Sequence, residues 1–391
     1  MIRSVSFSKI ISKIRTLGFK WLINRIRIEF KTPRLKTTKP IIFFIHSVVS
    51  FFSKLTIRAK NKFYIDADEI LAVYDLNSQP ITFDFAYFLV GAEVFAKQNG
   101  KSKLFIWFVP RDEAAFDSAD SEYLNVVDQS SQNWKFNNIL IPLARMHAAC
   151  SGYGILSDGF HLEELVNNDL IYPQKYSRRL SPVMNYQEIM RSISLSSFRG
   201  LQTSLQGQKY INSWKNYSKI SSPIVSITLR NYGYDPSRNS NIKEWVKFAD
   251  WLSRGGYTPV FIPDVDACWQ PDDTLGSHLV FTDACWNLEI RMAFYNSCFL
   301  SFFYSNGVGA LAQLNKNIRC ISMNPIIEDS LEAFGDRYED YGLKPDQRRY
   351  DFAEPFQWLS WKRDSFENIK SEFLEFESQF SDELSQEENA D

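Results

Sequence analysis

The chain has little from which to build a disulfide or zinc framework. Its five cysteines (Cys150, Cys268, Cys285, Cys298 and Cys320) stand singly; no C-x-x-C occurs, and an odd count argues against a closed set of bridges. The four histidines fall in no metal-ligand spacing. A reducing, cytoplasmic setting fits, and a structural zinc does not. Glycine (16) and proline (15) are sparse in 391 residues, so most of the chain should fold. Long apolar runs are missing too. The uncharged N-terminal run 40–53 is about 14 residues, short of the roughly 20 needed for a spanning helix. A secretory signal fits poorly, because charges break the first apolar stretch and the better one starts late.

Acid is what the first 62 residues lack. They hold 15 Lys or Arg against Glu29 alone, which leaves 29 basic and 45 acidic residues from totals of 44 and 46 for the rest. A basic arm on an acidic body implies a partner for the arm. In "KIISKIRTLGFKWLINRIRIEF" (9–30), Ile10, Ile14, Leu17 and Trp21 share one helical face, with Lys13, Lys20, Arg25, Arg27 and Lys31 on or beside the rest. The expectation is an amphipathic anchor lying in the plane of an anionic membrane surface, over residues 1–60. A basic helix laid on the acidic body is the alternative. Nucleic acid is not expected as a partner, because apolar residues interleave at helical spacing and the acidic body would repel a polyanion.

The body reads as α/β. "EILAVYDL" (69–76), a helix over 81–100 with Thr82 as N-cap, and "KLFIWFV" (103–109) form a βαβ unit, with "NNILIPL" (137–143) as a further candidate strand. Between 144 and 222 the pattern is mostly helical or irregular. It sharpens at 223: strands at 223–230, 258–264, 278–281, 298–303 and 318–323 alternate with helices at 241–256, 286–297 and 305–316. The predicted fold is two Rossmann-like doubly wound domains facing a cleft. The boundaries are 1–62 for the arm, 63–205, 206–370, and an acidic tail at 371–391 that reads as a fraying helix and disordered segment. The twin "DACW" strings at 266–269 and 283–286 have no repeating surroundings and are taken as coincidence.

Polar chemistry gathers at the strand ends of the second half. Arg230, Arg238, Asn239 and Ser240 follow the first strand, Asp264 the second; Ser305, Asn306, Gly307 and Gly309 follow a later one, and Asn324 the last. Forked guanidinium donors beside a glycine-bearing turn that opens a helix suit the oxygens of a diphosphate. Bland readings remain for each: Arg230 paired with an acid, Asn239 or Ser240 a helix cap, Glu289 an exposed helical charge instead of a partner for sugar hydroxyls. Asp264-x-Asp266 and the pair Asp272 and Asp273 do not convince as a metal site, the latter reading as turn residues.

These residues carry a resemblance. "ITLR", "RNSNI" (238–242), "GGYTPVFIPD" and "SNGVGALAQLN" resemble the C-terminal half of GT-B glycosyltransferases, and most of all an uncharacterised bacterial family of glycosyltransferases distantly akin to the fucosyltransferases. The likeness covers about a quarter of the chain. It departs in having "SNG" where an "SG" turn is commoner, and "TLRN" where an acid often follows the arginine. The resemblance implies transfer of a sugar from a nucleotide-diphosphate donor, with no required metal or cofactor, to an acceptor held against the first domain. It implies a diphosphate held by Arg230, Arg238 and the 305–309 turn, with Asn239, Ser240, Asp264, Glu289 and Asn324 toward nucleotide or sugar. A base would come from the first half: Asp84, or His147 second, with helix-dipole stabilisation the bland reading of Asp84. With the arm, it implies a peripheral enzyme on the cytoplasmic face of the bacterial inner membrane, acting on a lipid-linked or glycan acceptor. A pyruvyl transferase, a sugar-nucleotide epimerase and a non-catalytic membrane-bound scaffold are the competing readings.

Overall fold

The computed structural model describes residues 66–111, 127–156, 170–174, 176 and 184–387 apart from 234, 270–272, 328–337, 340 and 345, with isolated positions 26, 40, 41, 44, 45 and 48. The basic arm therefore lies almost wholly outside the described residues, as does Asp272. Among the described residues, no helix is long and apolar enough to cross a membrane. The chain is mixed α/β, with two sheets built on parallel pairing. It divides into two compact units, the first formed by 1–80, 95–125 and 151–184, the second by 81–94, 126–150 and 185–391. This division gives the second unit three segments that the sequence reading placed in the first domain.

In the first unit, β1 (Glu69–Asp75) lies between β2 (Lys103–Val109) and β4 (Ile171–Tyr172), parallel to both, and β3 (Cys150–Ile155) flanks β2. The continuous apolar run of β1 is what a strand covered on both faces requires. β2 alternates, burying Leu104, Ile106 and Phe108. On its other face Phe105 and Trp107 lie under the glycines of β3. A Cβ at Gly154 would come within 2.4 Å of the Trp107 ring, so only glycine lets the backbone approach this closely. Two glycines also weaken the strand signal, which explains why 150–155 was not legible as a strand.

The second unit has a six-stranded parallel sheet. Its strands are β5 (Ile224–Thr228), β6 (Thr258–Ile262), β7 (Leu279–Val280), β8 (Leu300–Tyr304), β9 (Cys320–Met323) and β10 (Gln357–Ser360), in spatial order β10-β9-β8-β5-β6-β7. The helices in chain order are α1 (Phe85–Gln98, whose last turn belongs to the first unit), α2 (Gln129–Lys135), α3 (Ile141–Met146), α4 (Tyr186–Ser194), α5 (Leu205–Tyr217), α6 (Ile242–Arg254), α7 (Asp283–Trp286), α8 (Leu288–Asn296), α9 (Gly309–Gln313) and α10 (Phe366–Glu387). α6 buries Trp245, Phe248, Ala249 and Leu252 at helical spacing against β5, β6 and β8.

Two expectations are overturned. The 137–143 run is not a strand: Phe136–Leu140 is a π-helical turn leading into α3, with Pro142 in the first turn where its missing N–H costs nothing. Ile139 with Leu143, and Leu140 with Ala144, are buried at i, i+4, a helical pairing that a short apolar run conceals. Nor is 371–391 a tail cut off at 371. α10 runs on to Glu387, and Ile369, Phe373, Phe376 and Phe380 enter the main core, with Phe373 edge-on to Phe248 at 5.8 Å and Phe376 against Trp358 at 5.2 Å. Glu372, fully buried on the same helix, accepts from Ser360 Oγ (3.0 Å) and pairs with Arg348 (2.6 Å) and Lys362 (3.1 Å), which fastens α10 to β10.

Because Phe373 is 0% exposed and touches four aromatic partners, Phe373→Ala should cost about 3–5 kcal/mol. Urea unfolding checks this; a midpoint unchanged from wild type would remove α10 from the core.

Candidate active site

The open end of β5 is a compact hydrogen-bonded loop. The Arg230 amide donates to Ser240 Oγ (2.8 Å), and the Ser240 amide returns a bond to the Arg230 carbonyl (2.9 Å). Asn239 grips the backbone of Tyr232 on both sides, accepting from its N–H (3.0 Å) and donating to its C=O (3.2 Å). Asp264, just past the end of β6, accepts from the Asn231 amide at 2.6 Å. The chain reverses through Asp235 in the left-handed region (φ 55°) and a single 3-10 turn, Pro236–Arg238. Asn239 and Ser240 are thus spent on shaping the loop and do not line the cavity below, which corrects their expected place at the ligand.

Arg238 reaches from this loop to the end of β8. Its Nε donates to Ser305 Oγ (3.1 Å) and its Nη2 to the Ser305 carbonyl (2.8 Å). Ser305 has φ 45°, unfavourable for a residue with a Cβ by roughly 1 kcal/mol or more, and the two-pronged grip holds it there. Past the turn, the first backbone bonds are Ala310 N–H to Gly307 C=O (3.2 Å) and Leu311 N–H to Val308 C=O (3.0 Å). The amides of Gly307 and Val308 therefore precede the first helical bonds. α9 itself is only five residues, so local amides, more than a long helix dipole, are what this turn offers.

These pieces share one cavity of about 590 Å³, all of it within the second unit. Arg230, Arg238, Ser305, Asn306, Gly307 and Gly309 line it, as do Asp264, Asn324 and Asp84. Among the described residues the lining carries four basic side chains (Lys135, Arg230, Arg238 and Arg291) against two acidic ones (Asp84 and Asp264). Arg230 is only 8% exposed. Burial, then the nearby charge of Arg238, pushes its guanidinium below the usual range, while Asp264, Asp235 and Tyr232 pull the other way. Tyr232 lies between two cations: Arg230 stacks on its ring at 5.5 Å, and Lys135 approaches it at 5.3 Å and donates to its hydroxyl at 3.2 Å. Buried Arg291 donates through Nε to Tyr295 OH (2.8 Å), which is also bonded to Thr228 on β5.

On another part of the lining, Asp84 sits just before α1 with Thr82 Oγ1 donating to its Oδ2 (3.0 Å). Close by in sequence, Tyr87 donates to Gln313 Oε1 (2.9 Å), and Gln313 passes a bond to Ser322 Oγ (3.1 Å). Burial pushes the Tyr87 hydroxyl well above its usual range, so it stays protonated as a donor.

Two other predicted residues fall elsewhere. His147 is fully buried, 3.5 Å from Glu93, and its Nδ1 accepts from the Ala149 amide at 3.3 Å; it does not line the cavity. Glu93 also accepts from the amides of Arg199 (2.8 Å) and Gly200 (3.2 Å), so this cluster braces the 199–201 crossing. Glu289 pairs with Arg145 at 3.1 Å, outside the cavity. Sequence reasoning missed Lys135, Arg291, Trp134 and Trp286, all of which line it. They lie on helices, where no strand-end signal marks them. The "DACW" strings, by contrast, meet in space: Trp286 Nε1 donates to Cys268 Sγ at 3.0 Å, and Trp269 and Trp286 lie 6.3 Å apart.

No protein-family model matches the chain, and no curated protein matches it. Solved structures do show similarity. A family 9 glycosyl transferase from Veillonella parvula is 11% identical, with 80% of this chain and 91% of that one covered and a TM-score of 0.45. ADP-heptose LPS heptosyltransferase II from E. coli is 10% identical over 80% and 99%, with a TM-score of 0.44. Fucosyltransferase NodZ from Bradyrhizobium is 9% identical over 63% and 94%, with a TM-score of 0.28. Likeness at this level says nothing about chemistry, which rests on the cavity's own residues.

The site has a pH-sensitive support. Asp364 accepts from the Asn241 amide (2.7 Å) and Trp245 Nε1 (3.0 Å) and lies near Tyr304, the neighbour of Ser305. Burial nonetheless raises its carboxyl above the ordinary range. A raised folded-state value means stability present at low pH and lost as pH climbs from about 4 through that raised value. Asp364→Asn should therefore gain in melting temperature relative to wild type as pH rises from 4 to 8; a constant difference would refute the assignment.

Proposed function

We propose that this chain is a GT-B-type glycosyltransferase that moves a sugar from a nucleotide-diphosphate donor to a hydroxyl of a glycan or lipid-linked acceptor. The observation that carries the reading is the pair Arg230 and Arg238 at one cavity wall, beside the Ser305–Gly309 turn. Two guanidiniums that repel each other in a partly dehydrated site suit a ligand of concentrated negative charge, and their forked donors match phosphate oxygens. In the reaction an acceptor hydroxyl oxygen bonds to the anomeric carbon while the bond from that carbon to the diphosphate oxygen breaks. The electron pair leaves with the diphosphate, and the hydroxyl proton goes to a base, for which we assign Asp84, the lining carboxylate that is not engaged beside Arg230. Charge grows on the leaving diphosphate in the transition state, and side-chain cations fixed in advance stabilise it there without reorganising.

The membrane part of the proposal rests on the sequence of residues 1–60. A water-soluble donor and a membrane-held acceptor meet more often when the enzyme sits on the surface, which here is the cytoplasmic face of a bacterial inner membrane. Assembly of cell-surface polysaccharide or lipopolysaccharide is the setting that suits such an acceptor.

Calorimetry with UDP, GDP and ADP is the first test. At least one should bind wild type, and Arg230→Ala should weaken it on the order of 10- to 100-fold, from the loss of charge-assisted hydrogen bonds. No heat with any nucleotide would sink the reading. With labelled sugar nucleotide and lipid extract, label should enter the lipid phase, and Asp84→Asn should slow this about 10²- to 10⁴-fold with nucleotide affinity retained. An epimer in solution in place of labelled lipid would replace transfer with isomerisation.

A further inference from the structure

Four strands order the cavity floor. Ser305 follows β8 and Arg230 closely follows β5, and these two strands are neighbours at the centre of the sheet. Moving toward the β7 edge, β6 ends near Asp264 and Val265, and the chain beyond β7 runs into α7, whose Cys285 and Trp286 line the same cavity. In that direction the lining passes from Arg230 and Arg238 to the Asp264 carboxylate, near which Arg291 is buried, and then to aromatic groups.

Trp286 is 41% exposed although it lines a cavity, and Trp134 from α2 meets it at 5.7 Å with the ring planes at 87°. The two indoles form the walls of a corner. Trp286 is fixed there: its Nε1 donates to Cys268 Sγ at 3.0 Å, and the Trp269 ring lies beside it with centroids 6.3 Å apart. A fixed indole with its surface in an open cavity is an uncommon use of so large an apolar group, and it suits a flat partner.

Resting on the reading of Arg230 and Arg238 as the diphosphate clamp, we infer that the donor lies across the strand ends toward β7, with its nucleobase stacked at the Trp286–Trp134 corner. Asp264 stands between clamp and corner. One of its oxygens accepts from the Asn231 amide, and a carboxylate at this place accepts hydrogen bonds of the kind ribose hydroxyls donate. Stacking on an aromatic face tolerates any base, so this corner supplies affinity and orientation without by itself choosing the nucleotide.

The test separates the two halves of the ligand. Inorganic pyrophosphate and the tightest-binding nucleoside diphosphate are titrated into full-length wild type, Trp286→Ala, Trp286→Phe and Trp134→Ala, each checked for native circular dichroism. Trp286→Ala should weaken the nucleotide on the order of tenfold or more and leave pyrophosphate within about twofold; Trp286→Phe should recover most of the loss, and Trp134→Ala should act in the same sense as Trp286→Ala. Nucleotide affinity untouched in the folded Trp286 and Trp134 variants overturns the corner alone, as does an equal loss for both ligands. Wild type that binds neither ligand overturns the diphosphate clamp and the corner with it.

Discussion

Two positive charges, Arg230 and Arg238, are held on the wall of one partly dehydrated cavity, and most of the local architecture exists to keep them there. Left alone, such side chains would separate into water, since like charges and lost hydration both oppose the arrangement. Arg238 is kept in place by two bonds to Ser305, and Arg230 by its stack on Tyr232. Ser240 and Asn239 fix the backbone on which both depend. The constraint extends further: the Arg238 grip holds Ser305 in an unfavourable conformation, and Asp364 holds the start of α6 through the Asn241 amide and Trp245 Nε1. A site with stored repulsion has more to gain from an anion than a relaxed one, because the ligand removes a standing cost as well as adding contacts.

Charge balance around the cavity follows from the same logic. Asp264 and Asp235 offset part of the repulsion at Arg230, yet Asp264 is also committed to the Asn231 amide, and Asp235 to its own turn through Ser237 Oγ at 2.6 Å. The acids therefore lower the cost of assembling the cations. Lys135 and Arg291 add positive charge from α2 and α8, so the excess does not depend on one loop.

What the sequence revealed and what it hid divide along physical lines. Strands such as 224–228 and the α6 stripe were legible because burial on both faces, or on one helical face, dictates a local pattern. Arg230, Arg238 and the Ser305–Gly309 turn were legible as strand-end residues, since the C-terminal ends of parallel strands are where such a sheet presents ligand groups. Side-chain direction was not legible. Nothing local says that Asn239 and Ser240 turn back onto their own loop, or that His147 and Glu93 meet across a long stretch of chain. Nor does a local pattern bring Trp134 to Trp286, or one "DACW" to the other; those meetings are products of tertiary packing.

The cavity is also polar in two different ways. Its cationic side is made mostly of guanidinium groups, which match a ligand of concentrated negative charge. Near Asp84 the hydrogen-bonding groups are neutral: Tyr87 is held protonated by burial, and Gln313 carries its bond onward to Ser322. Neutral donors and acceptors can hold sugar hydroxyls without competing for a proton. Asp84, steadied through one oxygen by Thr82, is the group at that side to which the proposed reaction assigns the proton of the attacking hydroxyl. In the proposed transfer, keeping the arginine pair apart from Asp84 would let the leaving group and the nucleophile be activated at once. A carboxylate placed between the two guanidiniums would have been neutralised by them and lost to that purpose.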